Sequence, residues 1–90
     1  MTKVRIPPTL RASTGGEREV VVSGDTVRDL LENLTERYPT LREQVYDGEI
    51  APYVNVYLEG EDVRTLDGLD TQVNDGATVI LLPAMAGGRG

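Results

Sequence analysis

Thr78-Val79-Ile80-Leu81-Leu82-Pro83-Ala84-Met85-Ala86-Gly87-Gly88-Arg89-Gly90 closes the chain. Its first five residues are β-branched or aliphatic and suit a buried strand. Pro83 has no N–H to give a ladder, so pairing is expected to stop there. Beyond it only Met85 is large, and such a segment cannot anchor itself by burial. The pattern predicts a rigid strand that delivers a thin, mobile C-terminus, with the rest of the chain built to present it.

Working outward from that strand, Lys3-Val4-Arg5-Ile6 alternates polar and apolar and reads as a strand with Val4 and Ile6 inward. Pro7-Pro8 interrupts it, and Leu10 is placed to pack back on the core. Thr14-Gly15-Gly16 reads as a turn, because glycine pairs tolerate the positive φ of tight hairpins. Glu19-Val20-Val21-Val22 follows as a second strand, antiparallel to the first. Either Asp25 or Thr26 then caps a helix, and Thr26 with Asp29 resembles a capping box. Val27, Leu30, Leu31, Leu34 and Tyr38 fall on one helical face, which reads as a core face rather than a cofactor stripe. Pro39 ends that helix.

Thr40 to Tyr46 predicts one or two further helical turns, with Leu41 and Val45 inward. Tyr53 to Leu58 reads as the third strand. Gly60 turns the chain into a short edge strand at Asp62-Val63-Arg64. Leu66 to Asn74 is irregular, with one helical turn around Leu69 to Val73, and Asp75-Gly76 turns into the last strand. The order β-β-α-β-β-β predicts an α+β domain, a helix across one face of a mixed sheet of four to five strands. The last strand is expected beside the first, as a central parallel pair.

Ninety residues make one domain with a modest core, too small for a self-contained enzyme pocket. The net charge of −6 disfavours nucleic acid, whose phosphates need Lys and Arg. It favours basic partners, or serves only to keep the domain soluble. The chain has no Cys and no His, which excludes disulfides, thiolate nucleophiles, imidazole bases and Cys/His metal sites. No apolar run approaches a membrane span and no signal-peptide core precedes the first strand, so the expected location is the cytoplasm. Lys3 is the one lysine, against eight arginines, so a modifier that forms chains through its own lysines has a single site.

Strand alternation divides the sheet into two faces. Val54, Val56 and Leu58 share one side of the third strand, and Tyr53, Asn55 and Tyr57 the other. In the last strand Val79 and Leu81 oppose Ile80 and Leu82. One set packs under the helix. The other, with Tyr53 or Tyr57, forms an apolar patch on the uncovered face unless the Leu66–Asn74 segment lies over it. An exposed apolar patch with an aromatic points to a protein partner.

The carboxylates carry no catalytic pattern. Glu61 and Asp62 are adjacent on a strand, point to opposite faces and make no acid–base dyad. Asp62, Asp67, Asp70 and Asp75 lack the spacing of a calcium loop, and Ser23-Gly24-Asp25 is too short for a phosphate loop. What remains is the terminal carboxylate. On glycine it is unhindered, and glycines let a backbone pass close to an enzyme's walls. Ala84 to Gly88 reach roughly 16–18 Å when extended, enough to enter a deep active site.

These residues resemble the ubiquitin-like sulfur carriers of the MoaD/ThiS family along the whole chain. The likeness rests on Gly24-Asp25-Thr26-Val27-Arg28-Asp29-Leu30-Leu31, on the Asp75-Gly76 turn, and on Val79-Ile80-Leu81-Leu82-Pro83-Ala84-Met85-Ala86-Gly87-Gly88. Ile6-Pro7-Pro8-Thr9-Leu10-Arg11, Tyr53-Val54-Asn55-Val56-Tyr57 and Glu61-Asp62-Val63-Arg64 are similar to its CysO type. The resemblance implies a β-grasp domain over residues 1–83 and a flexible tail over 84–90. It implies that the chain is no enzyme. Gly87-Gly88 is then the sulfur-carrying end. An E1-like enzyme adenylates Gly88 with ATP, a donor converts it to a thiocarboxylate, and a biosynthetic enzyme takes the sulfur. The CysO likeness implies a PLP-dependent cysteine synthase as that acceptor, with no cofactor on the chain itself.

The docking residues implied are Tyr53, Tyr57, Ile80 and Leu82 on the face. Pro83, Ala84, Met85 and Ala86 lead from it to the tail. Arg89-Gly90 departs from the family's Gly-Gly end. Either a JAMM-type metalloprotease cuts between Gly88 and Arg89, or Gly90 is itself activated. Two other readings stand beside the carrier: a protein modifier joined to target lysines, and a molybdopterin synthase small subunit.

Overall fold

Val27, Leu30, Leu31 and Leu34 are fully buried along one side of α1 (Val27–Arg37). The structure, a computed structural model, describes residues 1–83. Thr26 caps α1: its hydroxyl accepts from the Asp29 N–H at 3.2 Å, satisfying one of the orphan donors of the first turn. Gly24 runs so close beneath that turn that a Cβ on it would lie 2.5 Å from the Leu30 nitrogen. Tyr38 ends the helix and packs, partly buried, against the core.

The sheet has five strands, β1 (Thr2–Arg5), β2 (Glu19–Val22), β3 (Val54–Leu58), β4 (Glu61–Asp62) and β5 (Thr78–Pro83). Their spatial order is β2-β1-β5-β3-β4. β5 is central and parallel to β1, with Val4 beside Val79 and Arg5 beside Ile80. The remaining pairs, β1–β2, β3–β5 and β3–β4, are antiparallel. Val4, Val20, Val22, Val54, Val56, Leu58, Val79 and Leu81 point to the helix side and form one core with α1.

Local structure departs from the sequence expectation in three places. The β1–β2 connection is a 3₁₀ helix (Pro8–Thr14), closed by Gly15 at φ 68°, rather than a tight glycine turn. It buries Leu10 and Thr14, and that burial repays the longer loop. A second short helix, α2 (Leu41–Gln44), forms where the helical turns were expected. β4 is only Glu61–Asp62, because Asp62 caps a 3₁₀ turn (Val63–Thr65) by accepting from the Arg64 N–H at 2.9 Å. Val63 and Arg64 therefore leave the edge strand. The next 3₁₀ turn is Gly68–Asp70, just ahead of the expected Leu69–Val73.

The segment from Leu66 to Asn74 is latched to the start of α1. The Val27 N–H donates to the Thr71 carbonyl at 3.0 Å, and the Val73 N–H to the Asp25 carbonyl at 2.9 Å. Those bonds hold it on the helix side, so it leaves the opposite sheet face open. Among the described residues no helix is long and apolar enough to cross a membrane.

Candidate functional site

The open face is built by the outward residues of the central strands. Ile80 of β5 lies across the ladder from Tyr57 of β3, and Leu82 across from Asn55. Ile80, Tyr57 and Asn55 are half-buried, and Leu82 keeps 42% of its exposure. Their neighbours Val79, Leu81, Val56 and Leu58 are buried on the other side. Strand alternation alone separates the two sets, so the division expected for these strands is what the structure contains.

Tyr53 is placed differently. It precedes β3, in a turn, and its hydroxyl donates to the Glu43 carbonyl of α2 at 2.9 Å. It lies one residue ahead of the ladder and, half-exposed, ties the start of β3 to α2. Pro83 sits opposite Val54 at the end of the described ladder. A proline keeps its carbonyl acceptor, so it fits at the last position of a strand. Ala84, Met85, Ala86, Gly87, Gly88, Arg89 and the expected tail boundary lie outside the described residues.

Charged residues complete the face, and sequence reasoning missed them. Arg5 flanks Ile80 on β1, Glu19 lies across from Arg5 on β2, and Asp62 lies across from Tyr57 on β4. Lys3 stands beside Thr78 and across from Val21, which is 47% exposed. Arg64 donates to the Val54 carbonyl at 3.0 Å and to Asn55 Oδ1, closing the end of β3 next to Leu82. The period of two in Lys3-Val4-Arg5-Ile6 already turns Lys3 and Arg5 outward. That they border Ile80 follows only from the β1–β5 pairing. The face is thus an apolar strip with charges of both signs at its edges, the composition of a protein interface rather than of a small-molecule pocket.

Chemistry elsewhere is spent on structure. Asp70 pairs with Arg28, whose guanidinium pKa is raised first by that hydrogen bond. Asp75 pairs with the terminal amine, and Asp62 caps a turn. Tyr46 is buried beneath α1 and donates to Glu32 Oε2 at 3.1 Å. Burial, then that bond, push the Tyr46 hydroxyl above its ordinary pKa. Among the described residues no three His, Cys, Asp or Glu side chains are grouped to hold a metal.

The ThiS family matches residues 4–88. The chain belongs to the ThiS family. The "Sulfur carrier protein CysO" of Mycobacterium tuberculosis is 42% identical over 89 residues, covering 94% of this chain and 96% of that protein. The Amycolatopsis orientalis BexX/CysO complex superposes with a TM-score of 0.89 at 36% identity, covering 97% of this chain and 99% of that one. The small archaeal modifier protein 1 of Methanosarcina acetivorans superposes with a TM-score of 0.85 at 30% identity, over 96% and 94% of the two chains. The architecture is the β-grasp fold of these proteins. This ThiS-family chain is a small carrier of the CysO type rather than an enzyme.

Proposed function

We propose that this ThiS-family chain is a cytoplasmic sulfur carrier that bears sulfur as a thiocarboxylate on Gly88. One observation carries the reading. The open strip of Tyr57, Ile80 and Leu82 lies on and beside β5, the strand that Gly87-Gly88 follow in sequence after Ala84-Met85-Ala86. A partner that docks on the strip therefore grips the strand whose sequence continues into the glycine pair. An E1-like enzyme docks there, and the Gly88 carboxylate attacks the α-phosphorus of ATP and releases pyrophosphate. A sulfur nucleophile then attacks the acyl adenylate and displaces AMP. A sulfur-accepting biosynthetic enzyme docks next, in this reading a PLP-dependent cysteine synthase. Arg89-Gly90 is first removed by a JAMM-type metalloprotease, so the longer chain is inert.

The test is the intact mass of the chain ending at Gly88, after incubation with ATP, the E1-like enzyme of its own organism and sulfide. Exchange of one oxygen for sulfur through the activated carboxyl adds about 16 Da. A mass that never changes by this amount refutes the carrier reading. The likeness to a small archaeal modifier favours a second reading, in which Gly88 is joined to lysines of other proteins. That reading predicts a ladder of conjugates that disappears when Gly88 is deleted.

A further inference from the structure

Three of the eight arginines of this acidic chain converge on one cleft of about 300 Å³, lined by Arg5, Ile6, Arg11, Arg18 and Glu19. They come from three places: the end of β1, the 3₁₀ helix, and the approach to β2. Among the described residues none of the three forms an ion pair, although Glu19 stands directly across the ladder from Arg5.

The frame that carries them is fixed. The Ile6 N–H donates to the Arg18 carbonyl at 2.8 Å, and the Gly16 N–H to the Arg11 carbonyl at 2.7 Å. The buried Thr14 hydroxyl lies 3.1 Å from the Arg11 carbonyl and 2.9 Å from that of Glu17. Arg11 donates its Nε–H to the Ile6 carbonyl at 3.1 Å, which orients the guanidinium and leaves its terminal N–H groups to offer. Oriented guanidinium forks match carboxylates two bonds at a time.

We infer that this cleft is a recognition site for an acidic segment, with successive Asp or Glu side chains, of the protein that docks on the sheet face. Arg5 is in register beside Ile80, so the cleft continues the apolar strip outward across β1. The identity of the partner rests on the carrier reading, whereas the anion site does not. A phosphate group fits less well. Phosphate sites draw on converging backbone N–H groups, often at a helix N-terminus. Here the donors are side chains spread over three elements, with Glu19 set against a dianion. Spaced single charges on a peptide suit that layout. The strip then supplies apolar burial, and the cleft supplies register and a salt-sensitive encounter.

The test is an NMR titration of the full, isotope-labelled chain with acetylated hexaglutamate amide at low salt, and in parallel with inorganic phosphate. Saturable shifts are expected at Arg5, Ile6, Arg11 and Arg18, with affinity falling at least fivefold in Arg5→Glu and in Arg18→Glu. Both side chains are exposed, and unchanged spectra elsewhere report an intact fold. Arg42→Glu, the same charge change on α2, is expected to leave the affinity within twofold. Equal weakening by Arg42→Glu, shifts scattered over the surface, no shifts, or tighter binding of phosphate at these residues would each overturn the inference. With the adenylating enzyme, the Arg5 and Arg18 variants are expected to raise the KM for the carrier at least fivefold with kcat unchanged. A wild-type chain that is never adenylated refutes the carrier reading, while the peptide titration still decides the cleft.

Discussion

Leu81 and Leu82 are neighbours in β5 with opposite fates, and exchanging them one at a time separates folding from docking. Leu81 is fully buried across the ladder from Val56. Leu81→Ala removes three buried carbons and leaves a cavity, at a cost of about 2–5 kcal/mol. That is a large share of the roughly 5–15 kcal/mol that holds a small domain folded. Leu82 keeps 42% of its exposure. Full burial of a leucine is worth about 1.5–3 kcal/mol, so about 0.6–1.2 kcal/mol remains to be gained when a partner covers it. Leu82→Ala is thus expected to raise the carrier's KM with the adenylating enzyme about three- to eightfold.

Leu82→Asp raises it beyond about tenfold, because docking must also bury an unpaired carboxylate. Its melt stays cooperative, since the new charge faces water in the free domain. The assays are urea denaturation for stability and steady-state adenylation for KM. If Leu82→Asp lowers the denaturation midpoint as far as Leu81→Ala does, Leu82 belongs to the core. If both its midpoint and its KM match the wild type, the strip is not the docking surface.

Three further outcomes test the frame that holds β5. Gly24→Ala places a methyl against the backbone of Leu30, which cannot yield as a flexible side chain would; it is expected to cost about 1–3 kcal/mol by overpacking, and an unchanged melting temperature would show that the turn relaxes freely. Glu59 turns the β3–β4 hairpin at φ 50°, ahead of Gly60 at φ 86°. Glu59→Asn is expected to add about 0.5 kcal/mol, as asparagine tolerates that conformation better, and thermal melts will refute this if they show a loss. Tyr46 has a raised pKa, from burial and then from its bond to Glu32. Its contribution is therefore complete below the unfolded tyrosine pKa of about 10 and is lost as pH rises through the higher folded value. Above about pH 10 the wild type should lose stability more steeply than Tyr46→Phe, and parallel curves would sink the assignment.

Much of this architecture is legible in short-range pattern. The 3.6-residue period of Val27, Leu30, Leu31 and Leu34 determines α1, and Thr26 marks its start, because helix burial and capping are local events. The two-residue period of Val54 to Leu58 and of Val79 to Leu82 already separates core from open face. Less local features escaped. The Pro8–Thr14 turn forms because Leu10 and Thr14 find buried places on a core that distant strands complete. The bond from the Tyr53 hydroxyl to the Glu43 carbonyl of α2 likewise joins residues that no local period relates.

By its own pattern, then, the chain determines α1, the main strands and the inward face of each. Only the tertiary structure decides what lies next to each strand. Pairing β1 parallel to β5 sets Arg5 beside Ile80, and the antiparallel β1–β2 pair with its 3₁₀ connection brings Arg11 and Arg18 to the same edge. Residues so far apart in sequence meet through ladder register and loop packing, and no local period encodes those distances.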